Sequence, residues 1–333
     1  MADSQSTSDL EYAAASFLCV GFHGTSVSAE LAELIRRGVR SVILFERNAG
    51  DRNEVAALIR EVKSLSSDPI MVCVDQEGGD TVRLRNGFNP PPSMRSIGHD
   101  GRARAAEVGV QLAEDLRSVG IDLNLAPVID VDTNPDNPVI GSRSFSRDAK
   151  SVAVSGAALI RAMQAGGVAG CAKHFPGHGD TDQDSHFALP TLSHDLERLR
   201  AVELVPFQAA IRAGVAAIMT AHIRFDAVDP SVPATLSTPI IYGILREELG
   251  FQGVVMSDDL EMQGVSDSFT TSQASVQAVR AGVDVLLCCH SFDRQMESLS
   301  ALASAIEDGR ISRDTVTQSH VRKKRLFDTF VRD

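Results

Sequence analysis

Eight apolar, strand-like runs recur along the 333-residue chain, and segments with helical periodicity separate them. The runs are nearly continuous in Val, Ile, Leu and Ala, which is typical of parallel strands buried on both faces. Eight β/α units in about 290 residues favour a closed (β/α)8 TIM barrel of the α/β class, because an open doubly wound sheet usually has fewer strands. The predicted strands are residues 16–22, 41–45, 70–75, 122–126, 168–172, 216–220, 253–257 and 283–288.

Helical patterns occupy the intervals between these strands. Leu31, Leu34 and Ile35 share one face of the first, while Pro239 begins a later helix that Gly250 ends. No linker rich in Gly, Ser or Pro divides the chain, so we expect a single domain over residues 1–333 with its barrel core at about 16–310. The predicted helices are residues 29–37, 103–119, 150–165, 195–213, 238–250, 272–281 and 297–307, with a further helix at the C-terminus.

Charge and composition exclude several classes of partner. The net charge of -12 argues against nucleic acid or an anionic membrane. No apolar run approaches the roughly 20 residues of a membrane span, and the polar, acidic residues 1–11 do not resemble a signal peptide. Five cysteines without C-x-x-C spacing indicate buried, reduced thiols and a cytoplasmic protein. We interpret the basic cluster at residues 322–325 as a solvated helix face.

Polar side chains are concentrated where predicted strands end. Asp75 ends the third strand, Asn124 lies in the fourth, Lys173 follows the fifth, His222 follows the sixth and Asp258 follows the seventh. Because barrel enzymes build their sites at the C-terminal ends of the strands, we expect these groups to converge at one mouth of the barrel.

The segment 173–186, with the sequence KHFPGHGDTDQDSH, is the densest group of ionisable residues. Lys173 and His174 at its start are candidate donors to substrate hydroxyls. If Asp184 contacts His186, the carboxylate would orient the imidazole for proton transfer near neutral pH. Glycines at 177 and 179 would allow sharp turns and movement of the loop.

Two interpretations of these polar groups compete with acid–base chemistry. The loop could bind a metal, but it has neither the glycine and closing glutamate of a calcium loop nor an H-E-x-x-H motif, so we expect no metal and no cofactor. The pair Asp258 and Asp259 could be a helix cap. If the pair serves a site, alternation along a strand predicts that only one carboxylate enters it and the other turns towards the helices.

Together these motifs resemble the single-domain β-N-acetylglucosaminidases of glycoside hydrolase family 3, the type associated with bacterial cell-wall recycling. The likeness runs from about residue 16 to 310 and is highly specific. It is carried by residues 74–79 (VDQEGG) with Arg83, 126–131 (APVIDV), 140–145 (IGSRSF), 173–186, 219–222 (MTAH) and 256–260 (MSDDL).

The resemblance implies a retaining glycosidase. Asp258 would be the nucleophile that forms a covalent glycosyl-enzyme, and His186 would be the acid/base, assisted by Asp184. The hydroxyls and N-acetyl group of a terminal sugar would be held by Asp75, Arg83, Arg143, Lys173 and His174, with His222 and Met262 lining the pocket. The substrate would be a terminal β-linked N-acetylglucosamine on muropeptide or chitooligosaccharide fragments.

The sequence departs from the family at Asp80, where relatives often have Arg. The chain has no Trp and only two Tyr, so a stacking platform for a long polysaccharide is not expected. We therefore expect a small carbohydrate ligand. We also expect a monomer or weak homo-oligomer. Phosphate could replace water as acceptor, which would make the protein a phosphorylase. The same residues would also be compatible with a β-glucosidase, a metallohydrolase or a non-catalytic sugar-binding barrel.

Overall fold

The computed structural model describes residues 2–185 and 188–332, with side chains from residue 9 onward. Eight parallel strands pair in sequence order, and the eighth closes the barrel on the first through Leu286 and Leu18. This confirms the predicted (β/α)8 barrel, although most strands are shorter than predicted. The strands are Leu18–Val20, Ser41–Leu44, Met71–Val74, Leu123–Asn124, Ala169–Phe175, Ala217–Thr220, Val254–Asp259 and Val285–Cys288.

Neighbouring residues on each strand pack into two different apolar layers. Cys19 and Ile43 belong to the cluster inside the barrel, whereas Val20 and Val42 join the larger cluster that includes the surrounding helices. Both faces of the strands are therefore dry, which is why the sequence shows continuous apolar runs rather than alternation. All five cysteines are buried and free.

Helices surround the barrel and occupy most of the predicted positions. The structure adds two short two-stranded ribbons, Gln76–Gly78 with Thr81–Val82 and Thr191–Leu192 with Arg224–Phe225. The π-helix is Pro239–Glu248, and short 3-10 turns are Glu46–Asn48, Gly141–Arg143 and Ala234–Leu236. The α-helices are Ala2–Ala15, Ala29–Arg36, Arg52–Lys63, Met94–Asp100, Arg102–Val119, Ala149–Ala165, Leu196–Ala201, Leu204–Arg212, Gln263–Ser266, Thr271–Ala281, Phe292–Glu307 and Arg313–Phe330.

The helices Ala2–Ala15, Met94–Asp100 and Gln263–Ser266 are absent from the predicted set, and two other helical regions also differ from it. The helix Arg52–Lys63 is absent from the predicted set, although Asp51 caps it and Val55 and Ile59 are buried on one face. The predicted helix 195–213 is two helices that are interrupted at residues 202–203. The interruption places Pro206 in the first turn of the second helix, where a missing backbone N–H costs nothing.

The C-terminal helix Arg313–Phe330 closes the amino end of the barrel. Leu326 joins the cluster inside the barrel. Arg322 forms an ion pair with Asp284 at 2.8 Å, and the buried Lys323 donates to the Ser16 carbonyl at 2.8 Å. The predicted solvated helix face at 322–325 is therefore correct for Lys324 and Arg325, which are exposed, and wrong for the buried Lys323. Burial lowers the pKa of Lys323 to about 7.

Candidate active site

A cavity of about 340 Å³ opens at the carboxyl ends of the barrel strands. Polar groups that the sequence places at separate strand ends therefore meet in one space, as barrel topology requires. The cavity is also lined by Phe45, Glu77, His178, Ser185, Asp259 and His290. The predicted site residues that line it are Asp75, Arg83, Arg143, Lys173, His174, Asp258 and Met262.

A larger groove of about 570 Å³ lies at the opposite, amino end of the barrel. Its two carboxylates have partners in the protein: Asp122 is 3.0 Å from Lys63, and Asp68 is 3.2 Å from Arg40. Barrel enzymes carry their chemistry at the other end. We therefore assign the candidate site to the smaller cavity, where acidic, basic and imidazole groups converge.

Two cations of the cavity are fixed by the carboxylates of Asp75 and Glu77. Lys173 Nζ lies 2.6 Å from Asp75 Oδ1 and 2.7 Å from Glu77 Oε1. Arg143 forms a bidentate pair with Glu77, with Nε and Nη2 each 2.9 Å from a carboxylate oxygen. Burial opposes ionisation of Glu77, but Arg143 and Lys173 outweigh it and hold its pKa well below the ordinary value. The same carboxylates hold the pKa of Lys173 above its ordinary value despite burial.

Arg83 is the least constrained cation in the cavity. Its Nη2 is 3.7 Å from Asp75 Oδ2, which is longer than a hydrogen bond, and its guanidinium lies 5.8 Å from the centre of the Phe45 ring. Its buried Nε has no hydrogen-bond partner among the described residues. Arg83 therefore has N–H groups that can donate hydrogen bonds to a ligand oxygen.

Asp258 and Asp259 both line the cavity, which corrects the expectation that only one would enter it. The pairing of the seventh strand with the eighth shifts between Met256 and Asp259, and this irregularity breaks simple side-chain alternation. The backbone N–H of Asp259 donates to Asp258 Oδ1 at 2.8 Å. Asp259 itself lies 3.2 Å from His290 Nε2 at the rim.

Asp258 is held in its ionised form. Enclosure by protein raises its pKa, but His222, His174, the Asp259 N–H and Lys173 outweigh this effect and lower it below the ordinary value. A carboxylate that is ionised at neutral pH, partly exposed and located in the cavity lining is suited to attack a carbon or to stabilise positive charge.

Asp130 organises the floor of the cavity beneath His174. One of its oxygens lies 2.7 Å from His174 Nδ1, and the other accepts the His178 backbone N–H at 2.7 Å. The His174 side chain is thereby fixed so that Nε2 remains for a ligand. Because of burial and the neighbouring His174, the pKa of His178 falls to about 4, so this ring is neutral at pH 7.

His222 is not among the residues that line the cavity. It is fully buried, with Nε2 2.9 Å from the Asp259 carbonyl oxygen and Nδ1 2.8 Å from Thr235 Oγ1. Both ring nitrogens therefore contact protein atoms, and His222 supports the strand end that carries the carboxylates.

The loop after the fifth strand contains the remaining predicted catalytic pair. Asp184 is half-buried and is not among the residues that line the cavity, and His186 lies outside the described residues. Gly179 is required where it is, because a Cβ there would be 1.8 Å from the Val131 carbonyl oxygen. Asp180 is held by Thr133 at 2.6 Å and by His194 at 2.8 Å.

No group of three or more His, Cys, Asp or Glu within the described ranges is arranged to hold a metal ion. Nor does any described helix combine the length and apolarity needed to cross a bilayer.

Sequence reasoning missed several cavity residues. Glu77 lies within the VDQEGG motif but is not among the predicted site residues, and neither are His178 and Asp259. These three residues could have been identified from their positions, because each lies within four residues of a predicted site residue. Phe45 and His290 follow the second and eighth strands, which show no comparable polar cluster.

Comparison with known proteins identifies the family. The model of the glycosyl hydrolase family 3 N-terminal domain matches residues 12–326. The chain belongs to glycoside hydrolase family 3. A β-hexosaminidase of Idiomarina loihiensis is 38% identical over 296 residues, which is 87% of this chain and 88% of that protein. β-Hexosaminidase A of Pseudoalteromonas piscicida is 35% identical over 91% of this chain, which spans only 55% of that longer protein.

Solved structures of the family have the same fold. A family 3 β-N-acetylglucosaminidase of Paenibacillus sp. has a TM-score of 0.94 and 42% identity, covering 96% of this chain and 62% of its own. NagZ from Neisseria gonorrhoeae, in complex with N-trifluoroacetyl-D-glucosamine, has a TM-score of 0.80 and 30% identity, covering 92% of this chain and 97% of its own. This family 3 chain is thus similar both to relatives of its own length and to part of longer ones.

Proposed function

We propose that this family 3 protein is an exo-acting, retaining β-N-acetylhexosaminidase. The observation that carries the proposal is the ionised Asp258, which shares one small cavity with Asp75, Lys173, His174 and Arg143. These groups supply a nucleophile together with donors and acceptors for the hydroxyls and amide of a single sugar. The named activities of similar proteins of comparable length support the same assignment.

In the proposed mechanism, an Asp258 carboxylate oxygen attacks the anomeric carbon while His186 protonates the departing oxygen. The bond from the sugar to the leaving group breaks as the covalent glycosyl–aspartate forms. Neutral His186 then removes a proton from water, and the resulting attack releases Asp258 and the sugar. Asp184 would orient His186 and stabilise its charged form.

The cavity size supports the proposed substrate class. Its volume of about 340 Å³ suits a terminal sugar rather than a long polymer. We infer removal of β-linked N-acetylglucosamine from muropeptide or chitooligosaccharide fragments, by one catalytic domain that acts in the cytoplasm as a monomer or weak homo-oligomer.

Water is favoured over phosphate as the second acceptor. Lys173 and Arg143 are neutralised by Asp75 and Glu77, so they offer little net attraction to a dianion. Incubation with substrate in phosphate buffer should therefore release free sugar. Formation of sugar 1-phosphate as the main product would assign the protein as a phosphorylase.

The central test is a kinetic panel of 4-nitrophenyl β-glycosides that differ only at the 2-position. We expect kcat/KM for the N-acetylglucosaminide to exceed that for the glucoside by at least about 100-fold, because amide-binding groups left unpaired by the glucoside carry a penalty. Equal values for the two substrates would refute the hexosaminidase assignment.

A further inference from the structure

The His178 ring connects two points of the loop that contains the proposed acid/base pair. Its Nδ1 lies 2.8 Å from Thr181 Oγ1, and its Nε2 lies 3.1 Å from Ser185 Oγ. His178 and Ser185 are both 2% exposed, so these bonds form away from bulk water. Ser185 stands directly between Asp184 and His186 in the sequence. The ring therefore ties the cavity floor to the residue beside each member of the pair.

The hydrogen-bond directions follow from the partners. Thr181 Oγ1 donates to the His178 carbonyl at 3.1 Å, so its lone pairs accept from Nδ1–H. A neutral imidazole with its proton on Nδ1 has an acceptor at Nε2. The Ser185 hydroxyl consequently donates to Nε2, and Ser185 is held by an acceptor that exists only while the ring is neutral.

Ser185 is also held from the opposite side. The backbone N–H of Gly264, in the short helix after the seventh strand, donates to the Ser185 carbonyl at 3.1 Å. A Cβ on Gly264 would lie 2.8 Å from that carbonyl oxygen and 3.1 Å from the Ala188 carbonyl oxygen. Glycine at 264 thus allows the loop to rest directly on the segment that follows the nucleophile strand.

We propose that His178 and Ser185 are positioning residues that set the acid/base loop against the sugar cavity. Asp130 fixes the position of His178, because the same carboxylate binds both the His174 ring and the His178 backbone N–H. The Asp130 carboxylate therefore fixes the position of His174, a proposed sugar-binding residue, relative to His178, which supports the loop with the proposed proton donor. This inference rests on the proposed function, since it assumes that Asp184 and His186 transfer the proton.

Leaving-group dependence tests the proposal. A misplaced general acid slows cleavage of a poor leaving group, whereas a 2,4-dinitrophenolate departs without protonation. For Ser185→Ala we expect kcat/KM for N,N′-diacetylchitobiose to fall by about 10- to 100-fold, with the 2,4-dinitrophenyl N-acetylglucosaminide changing by less than about 3-fold. Ser185→Thr keeps the hydroxyl and should restore most of the disaccharide activity. Ser193→Ala, at an exposed serine beyond the loop, is the matched control and should leave both substrates unchanged.

Gly264→Ala provides a second route, because it displaces the Ser185 carbonyl and leaves the hydroxyl intact. It should give the same selective loss, and it keeps the test decisive if Ser185→Ala does not fold. Equal losses on both substrates in whichever variants fold would indicate a structural role only and overturn the proposal. Failure of the unmodified protein to cleave either substrate would instead overturn the proposed function, and the positioning role with it.

Discussion

Glu77 binds Arg143 through two 2.9 Å hydrogen bonds, and the same carboxylate lies 2.7 Å from Lys173. The carboxylate is almost fully buried, and it lines the cavity together with the two cations. A single acidic side chain of the lining thus fixes the geometry of two proposed sugar ligands. This arrangement explains how long, flexible basic side chains can present rigid donors.

Glu77→Gln should weaken both stability and substrate binding. The substitution removes the charge that two buried cations require, and breaking a buried ion pair costs about 3–5 kcal/mol of unfolding free energy. We expect a lower Tm and a raised KM, measured by thermal denaturation and by steady-state kinetics. Glu61→Gln, at an exposed position, is the control and should change neither. Unchanged KM in a folded Glu77→Gln protein would argue against this role.

Asp258→Ala should abolish turnover without unfolding the protein. Removal of the nucleophile should lower kcat by at least about 1,000-fold, because the covalent route is lost. Asp182→Asn removes an exposed carboxylate from the loop and should retain near-normal kcat. A mass increase of one sugar on unmodified protein trapped with a 5-fluoro glycosyl fluoride that keeps the 2-acetamido group, and none on Asp258→Ala, would identify the attacking residue. Near-normal turnover of Asp258→Ala would rule out the mechanism.

His178 should make stability fall as the pH decreases from about 6.5 to about 4. Its pKa is about 4 in the folded protein, below the ordinary value of 6.5, so between these values the unfolded chain binds the extra proton. The stabilisation is complete above pH 6.5 and lost below pH 4, on the order of 3 kcal/mol. Asp130 favours the protonated ring, while His174 and Arg143 oppose it. The measurement is unfolding free energy against pH, with His178→Gln for comparison. Parallel curves for the two proteins would contradict the expectation.

Lys323 should make the stability of the protein depend on pH in the alkaline range. Burial lowers its folded pKa to about 7 from 10.5, so the unfolded chain binds the extra proton between these values and stability rises with pH from 7 towards 10.5. Asp284 favours the charged amine and Arg322 opposes it. Lys323→Met should flatten this rise in a denaturant series at pH 7, 8.5 and 10. Lys324→Met, at an exposed neighbour, should keep the slope of the unmodified protein.

The fold was predictable because its main signal is local and repeated. Strands buried on both faces leave continuous apolar runs, and eight of them with helices between leave little choice but a closed barrel. The helix break before Pro206 was harder to predict, since the surrounding residues keep helical periodicity on both sides. The burial of the Lys323 side chain was also not predictable, because a basic cluster has the same composition whether it faces water or the end of the barrel.

Most of the candidate site was accessible from strand ends, yet its internal connections were not. Asp75, Lys173 and Asp258 follow apolar runs, and their positions predict them directly. The pairing of Arg143 and Lys173 with Glu77 depends on contacts between residues 66 and 96 positions apart in sequence. The entry of Asp259 into the cavity depends on a pairing irregularity that no local sequence pattern announces.

The charges that line the cavity do not balance. Among the described residues, the carboxylates of the lining outnumber its lysine and arginine side chains by one, which is a surplus of one negative charge. The surplus has little effect on the binding of an uncharged sugar. It stabilises the oxocarbenium-like transition state of glycoside cleavage, because that state is cationic. A protonated iminosugar should therefore bind more tightly than the matching neutral lactam, and uronic acids should be excluded. The carboxylates are Asp75, Glu77, Asp258 and Asp259, and the permanent cations are Arg83, Arg143 and Lys173.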